Sequence, residues 1–311
     1  MVKVELRGIV TGLAILAALT LLAIGLDIQA LDSLNSIRFH LAALMLVVPL
    51  ALLLAGAPIR AAIMLALIVA SVGQGALVIM RQQAVRAPLA AQETDGRFTL
   101  LNYNVLSRNM NGDEAADSII AAAPDLAVVM EAPGIAPYFE RLRETFPYHV
   151  GCDGSVCDLM LLSRTPLLDA EIRPLGPLAR QRLIIARTEI KGRMVTVVAV
   201  HLSKPYFDEN AWAELREVGW ALSRIEGPVV VSGDFNATAW SEAISSFAER
   251  EGLVPPPRYP GTWPVLLGEL GVPIDNIFTR GGLLIEDIAA TPPHGSNHRG
   301  LLAQIAVKPA P

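Results

Sequence analysis

Three charge-free apolar stretches crowd into the first eighty residues, Gly8 to Leu26, Leu41 to Ile59 and Ala61 to Met80. Each is near the ~20 residues that let a helix cross a ~30 Å hydrocarbon core, where only helices and closed barrels satisfy their own backbone. They predict a transmembrane anchor of three helices over residues 1–80. A cleaved signal peptide is the rival reading of the first stretch, because Lys3 and Arg7 precede it. The run is long for such a segment, however, and no small-residue cleavage site stands before Asp27. A buried three-helix core is the other alternative, and it requires three such runs inside one soluble fold.

Composition changes after this region. The chain is 52% hydrophobic yet 18% charged, too apolar for an average soluble domain and too charged to be all membrane. Residues 81–97, with Arg81, Arg86, Pro88 and Gly96, read as a linker, and residues 98–308 as a globular domain long enough for a full core. The formal net charge is −5, and the acidic excess lies in the globular part. Nucleic-acid binders generally carry net positive charge for phosphate contacts, so this balance weighs against a nucleic-acid reading without excluding a local basic groove.

Basic residues do not decide the orientation. Lys3, Arg7 and Arg60 fall on one side of a three-span topology, and Arg38, Arg81, Arg86 and Arg97 on the other. Cys152 and Cys157 flank the turn-like Asp153-Gly154-Ser155-Val156. They are either a hairpin disulfide or two free thiols; a disulfide implies an oxidising compartment. That would fit a multi-pass protein of a bacterial-type inner (plasma) membrane with an extracytoplasmic C-terminal domain. Neither cysteine belongs to a recognisable Cys-His motif, so neither reads as a nucleophile.

Runs of strand length occur at Phe98 to Val105, Asp125 to Met130, Leu159 to Leu162, Leu183 to Ile190, Val195 to His201, Val229 to Ser232, Asn276 to Phe278 and Leu301 to Val307. Helical spacing marks Asp113 to Ala123, Tyr138 to Thr145, Glu209 to Ile225 and Ser241 to Arg250. Many strands with few helices predict layered sheets covered by helices.

Polar fragments punctuate the ends of these runs. Asn104 leaves the first strand, where an Asn is commonly a turn former. Glu131 ends a buried strand, where a carboxylate needs a partner such as a hard cation. Ser232-Gly233-Asp234-Phe235-Asn236 stops an apolar run at a glycine and then delivers Asp and Asn two residues apart, on one face if the chain stays extended. His201 is a lone strand histidine. Asp275 precedes a strand, and Ser296-Asn297-His298 precedes the last one.

Together and in this order, these fragments resemble the endonuclease/exonuclease/phosphatase superfamily over about residues 97 to 308. The resemblance implies an α+β, four-layer α/β/β/α sandwich that hydrolyses phosphoesters with Mg²⁺, or Mn²⁺ in its place. It implies Glu131, Asn104 and Asn297 at the metal, and Asp234, Asn236, His201, Asp275 and His298 as catalytic residues, with Asp275 orienting the His298 imidazole. Asn297 departs from the family's usual Ser-Asp-His, keeping a ligating oxygen but losing a charge; Met130 stands where Gln is common. The implied substrates are phosphoesters, either lipid head groups at the bilayer or nucleic acid, and no obligate protein partner is indicated. A phosphodiesterase or phosphatase is the first reading and a nuclease the second. A binding module impaired through Asn297 is the alternative outside enzymes.

Overall fold

The computed structural model describes residues 2–26, 31–152, 157–176, 180–205 and 210–309, with side chains from Gly8 onward. Six helices come first: α1 (Val2–Gly25), α2 (Asp32–Ser36), α3 (Arg38–Met45), α4 (Val47–Leu54), α5 (Pro58–Ala84) and α6 (Ala87–Ala90). Among the described residues, two helices are long and apolar enough to cross a membrane, Gly8–Gly25 and the segment starting at Pro58. The expected span Leu41–Ile59 is not among them. Arg38–Leu54 is a shorter apolar segment, broken between α3 and α4. Pro49 supplies the reason, since it has no N–H for the Met45 carbonyl and its ring crowds that carbonyl. Arg60 reaches Thr11 (3.4 Å) and Gln74 reaches the Gly25 carbonyl (3.4 Å), so α1 and α5 run parallel and α3–α4 runs back between their ends.

Residues 81–97 begin as helix rather than linker, since α5 continues to Ala84. The strands follow: β1 (Gly96–Asn104), β2 (Leu126–Met130), β3 (Tyr148–Val150), β4 (Leu159–Ser163), β5 (Leu168–Leu175), β6 (Arg180–Ile190), β7 (Arg193–His201), β8 (Val229–Asp234), β9 (Asp275–Arg280), β10 (Leu283–Ala290) and β11 (Leu301–Val307). Four more helices lie between them: α7 (Gly112–Ala122), α8 (Phe139–Thr145), α9 (Asn210–Leu222) and α10 (Glu242–Arg250).

One sheet has the order β10-β11-β1-β2-β4-β3 and the other β5-β6-β7-β8-β9. Their inner faces meet through Leu100, Val128, Leu161, Ala186, Val197, Val230 and Ile305. The outer face of the first sheet is covered by α7 and α8 through Ile119 and Leu142, and that of the second by α9 and α10 through Leu215, Leu222, Ile244 and Phe247. The domain is therefore a mixed α/β sandwich of four layers. β1 and β2 are parallel, as are β7 and β8, and a helix connects each pair because parallel neighbours need a crossover.

The two parallel pairs are held against each other at one end. Ser232 donates to the Asn102 amide oxygen (2.9 Å), and the Asn102 amide donates to the Gly233 carbonyl (3.4 Å). Gly233 is required there, since a Cβ would lie 1.8 Å from the Val200 carbonyl oxygen. The C-terminal ends of β1, β2, β7 and β8 consequently open at one edge of the sandwich.

The N-terminal helices are docked on this domain. Asp32 accepts from the Glu242 amide (2.9 Å) at the start of α10, Ser36 from the Thr238 amide (3.1 Å), and the Asn35 carbonyl from the Trp240 indole (3.1 Å). Gln83 and Arg86 donate to the Pro256 and Pro255 carbonyls, and Tyr259 donates to Gln82 (2.6 Å). Cys152 and Cys157 form a disulfide with Cα atoms 4.3 Å apart; the predicted 153–156 turn lies outside the described residues.

Candidate active site

Asn104 is the last residue of β1 and is buried between two carboxylates. Its amide donates to Glu131 (3.3 Å) and to Asp234 (3.0 Å), while its oxygen accepts from the Leu106 amide (3.1 Å). It thus presents nitrogen, not oxygen, to the acidic groups and holds them together. Glu131 follows β2 in a left-handed conformation (φ 52°), an uncommon state for a residue with a Cβ. Its second oxygen accepts from the Ser107 amide (2.8 Å). Burial pushes the Glu131 carboxyl up, but the hydrogen bonds from Ser107 and Asn104 and the nearby His201 outweigh it and hold the group below the ordinary range.

Asp234 closes β8 beside β9, where it stands opposite Asp275. Its first oxygen accepts from the Asn236 amide N–H (2.8 Å), and the Asn236 side chain donates to the Leu202 carbonyl (2.8 Å), fixing the turn out of the strand at φ 51°. His298 Nδ1 donates to Asp275 (2.9 Å), leaving Nε2 3.8 Å from Asp234. One ligating atom from each of Asp234, Asp275 and His298 falls within a single 4.8 Å cluster. Burial disfavours a charged His298, but Asp275, Asp234 and Glu131 outweigh it and raise the imidazole to about 9. Asp275 is pushed up by its complete burial, with the Asp234 charge adding to the effect. A cation among these carboxylates would relieve both shifts.

His201 ends β7 with Nε2 3.9 Å from Asp234. Its Nδ1 donates to Asp158 (2.8 Å), which also pairs with Arg182 (3.1 Å). Asp158 is the residue sequence reading missed. It abuts the apolar run of β4 as Glu131 abuts that of β2, so the same signal was present at the other end of a strand. Thr262, also missed, accepts from the Asp275 amide (3.4 Å), and Ser296 donates to the Asn104 carbonyl (2.7 Å) while accepting from the His298 amide (3.0 Å). Asn297 is exposed between the buried Ser296 and His298. The fold therefore gathers Asn104, Glu131, His201, Asp234, Asn236, Asp275 and His298 at one edge, and leaves Asn297 exposed beside them.

Carboxylates and two imidazoles thus meet at the mouth of the paired sheets, a donor set able to hold a cation and move protons. Residues 101–298 match the Endonuclease/Exonuclease/phosphatase family, and the chain belongs to it. A UPF0294 protein of Yersinia enterocolitica is 29% identical over 144 residues, 45% of this chain. The chain spans about half the length of that curated relative, 52%. Among solved structures, an endonuclease/exonuclease/phosphatase from Beutenbergia cavernae superposes with TM-score 0.59 at 18% identity, covering 69% of this chain and 72% of that one. D. rerio TDP2 complexed with single-strand DNA product gives 0.54 at 16% identity, covering 68% and 99%. Sphingomyelinase C from Streptomyces griseocarneus gives 0.51 at 16% identity, covering 67% and 99%. At these identities the structural likeness concerns the fold.

Proposed function

We propose that the chain is a membrane-anchored, Mg²⁺-dependent phosphoester hydrolase that directs water at phosphorus without a covalent intermediate. The carrying observation is the convergence of Asp234, Asp275 and His298, with Glu131 joined to Asp234 through Asn104 and the buried Asp275 Oδ1 lacking any hydrogen-bond partner. Such an excess of hard oxygen donors over protein cations fits a divalent metal. Glu131 and Asp234, linked by Asn104, would hold it. When bound, Mg²⁺ would neutralise charge on the phosphoryl and leaving oxygens.

The protein's own groups supply the rest. Asp275 fixes the His298 ring so that Nε2, facing Asp234, holds or takes up a proton at the attacking water. Asp158 fixes His201 in the same way, with Nε2 directed into the cluster. One N–H of the Asn236 amide is held by the Leu202 carbonyl, which braces the Asp234 turn and leaves the second N–H for a phosphoryl oxygen. The apolar helices support anchoring, and the Cys152–Cys157 disulfide supports a catalytic domain on the extracytoplasmic side.

The test uses the detergent-solubilised full chain with bis(p-nitrophenyl) phosphate, lipid phosphodiesters and an oligonucleotide, each with Mg²⁺ or EDTA. Mg²⁺-dependent turnover should fall at least about 100-fold in both Glu131→Ala and His298→Ala, the range expected for loss of metal or acid–base groups. Turnover that persists in EDTA or in either variant would refute the assignment.

A further inference from the structure

Between Thr262 and Asp275 the chain leaves the site, makes a loop and returns. The tip of this loop, Val265–Leu270, is a 3-10 segment without a buried residue. Leu266 is 90% and Leu270 75% exposed, and Leu267 and Trp263 are exposed beside them. Scattered exposed leucines are ordinary, but four large apolar side chains within eight residues, on a loop with no core to fill, mark a surface for an apolar partner.

Two connections say which partner. The Leu270 carbonyl accepts from His40 Nε2 (2.7 Å), and the apolar surface of α3–α4, with exposed Leu44, Val47, Leu50 and Leu54, starts directly after His40. Two residues before His40, Arg38 donates to the Ser71 carbonyl of α5 (3.5 Å). From Pro58 to Ser71, α5 rises about 20 Å at ~1.5 Å per residue, whereas a ~30 Å hydrocarbon layer starting at Pro58 extends to about Val78. The loop is therefore fastened about 10 Å below the level where the apolar part of α5 ends. Its apolar side chains are continuous with the lipid-facing belt of the anchor.

The other end of the loop is braced on the catalytic pair. Glu269 pairs with Arg299 (2.7 Å), the neighbour of His298, and the Arg299 amide donates to the Thr262 carbonyl (2.9 Å). Thr262 in turn accepts from the Asp275 amide.

Resting on the anchored-hydrolase reading above, we infer that Trp263–Leu270 inserts into the leaflet on the sandwich side of the bilayer that α1 and α5 cross. It thereby seats the site on a lipid whose phosphoester lies in the head-group layer of that same bilayer.

The experiment reconstitutes the full chain in phosphatidylcholine/phosphatidylglycerol vesicles. A bimane label on Leu266→Cys, the native cysteines being paired, should be quenched strongly by lipids brominated near the top of their acyl chains. The same label on Lys191→Cys, at the opposite end of β7 from His201, should not. Equal quenching at the two sites overturns the inference even if no substrate is turned over. Leu266→Asn with Leu270→Asn should then reduce turnover of vesicle lipid phosphodiester about tenfold or more and leave bis(p-nitrophenyl) phosphate turnover unchanged. A quenched label with no turnover of either substrate by the unmodified chain would sink the hydrolase reading and the seating role, while the insertion would stand. Unchanged vesicle turnover in the double variant also refutes the seating role.

Discussion

Asp158 sits where burial alone would raise a carboxyl, yet the His201 hydrogen bond and the Arg182 and Arg180 charges bring it below its ordinary 3.8. A carboxyl depressed in the folded state contributes stability that is present above its unfolded value and lost as pH falls through the folded one. The melting-temperature gap between the unmodified chain and Asp158→Asn should therefore be full near pH 6 and shrink below about pH 4. A gap constant from pH 6 to pH 3 would show that Asp158 is not held ionised by these partners. Asp158 escaped sequence reading because its role depends on His201, 43 residues away, and no local pattern records that distance. Asn104 was legible as a site residue, but only the placed amide shows that it bridges Glu131 and Asp234.

At the scale of elements, α10 is tied to α2 at its first turn. Asp32 accepts from the Glu242 and Ala243 amides, two of the donors a helix N-terminus leaves unpaired, and Ser241 accepts from Ile244. Removing the Asp32 carboxylate should cost about 1 kcal/mol. In Asp32→Ala the amides of α10 and of the 237–241 turn should exchange with solvent about fivefold faster, with β8 unaffected. Unchanged exchange would mean that the anchor does not stabilise the domain there. The long strands and helices were predictable because apolar residues recur at their own period. β3, β5 and β10 were not, since they are edge strands that lack a two-sided core; Leu168–Leu175 is largely exposed and contains Pro174. The break in the middle apolar stretch was not legible in its hydropathy, because the loss of a backbone donor at Pro49 does not show in an average over side chains.

For the whole molecule, parallel α1 and α5 place the start of α1 at the end of the helical region away from the sandwich, and on the proposed membrane-anchored reading the two lie on opposite sides of the bilayer. A C-terminal alkaline phosphatase fusion is expected to be active and a C-terminal green fluorescent protein fusion from the same promoter dark; the reverse pattern would place the domain in the cytoplasm. Hydrophobic period and strand-end polar residues were enough to determine an apolar N-terminal region, a layered α/β domain, and most of the chemistry-bearing side chains, because those are properties of contiguous segments. Which of those side chains share a centre, that Asp158 joins it through His201, and that the Trp263–Leu270 loop meets the N-terminal helices at His40 were settled only by tertiary structure. These follow from the pairing of β1 with β2, β7 with β8, and one sheet against the other, contacts between residues far apart in the chain whose geometry no local run of sequence contains.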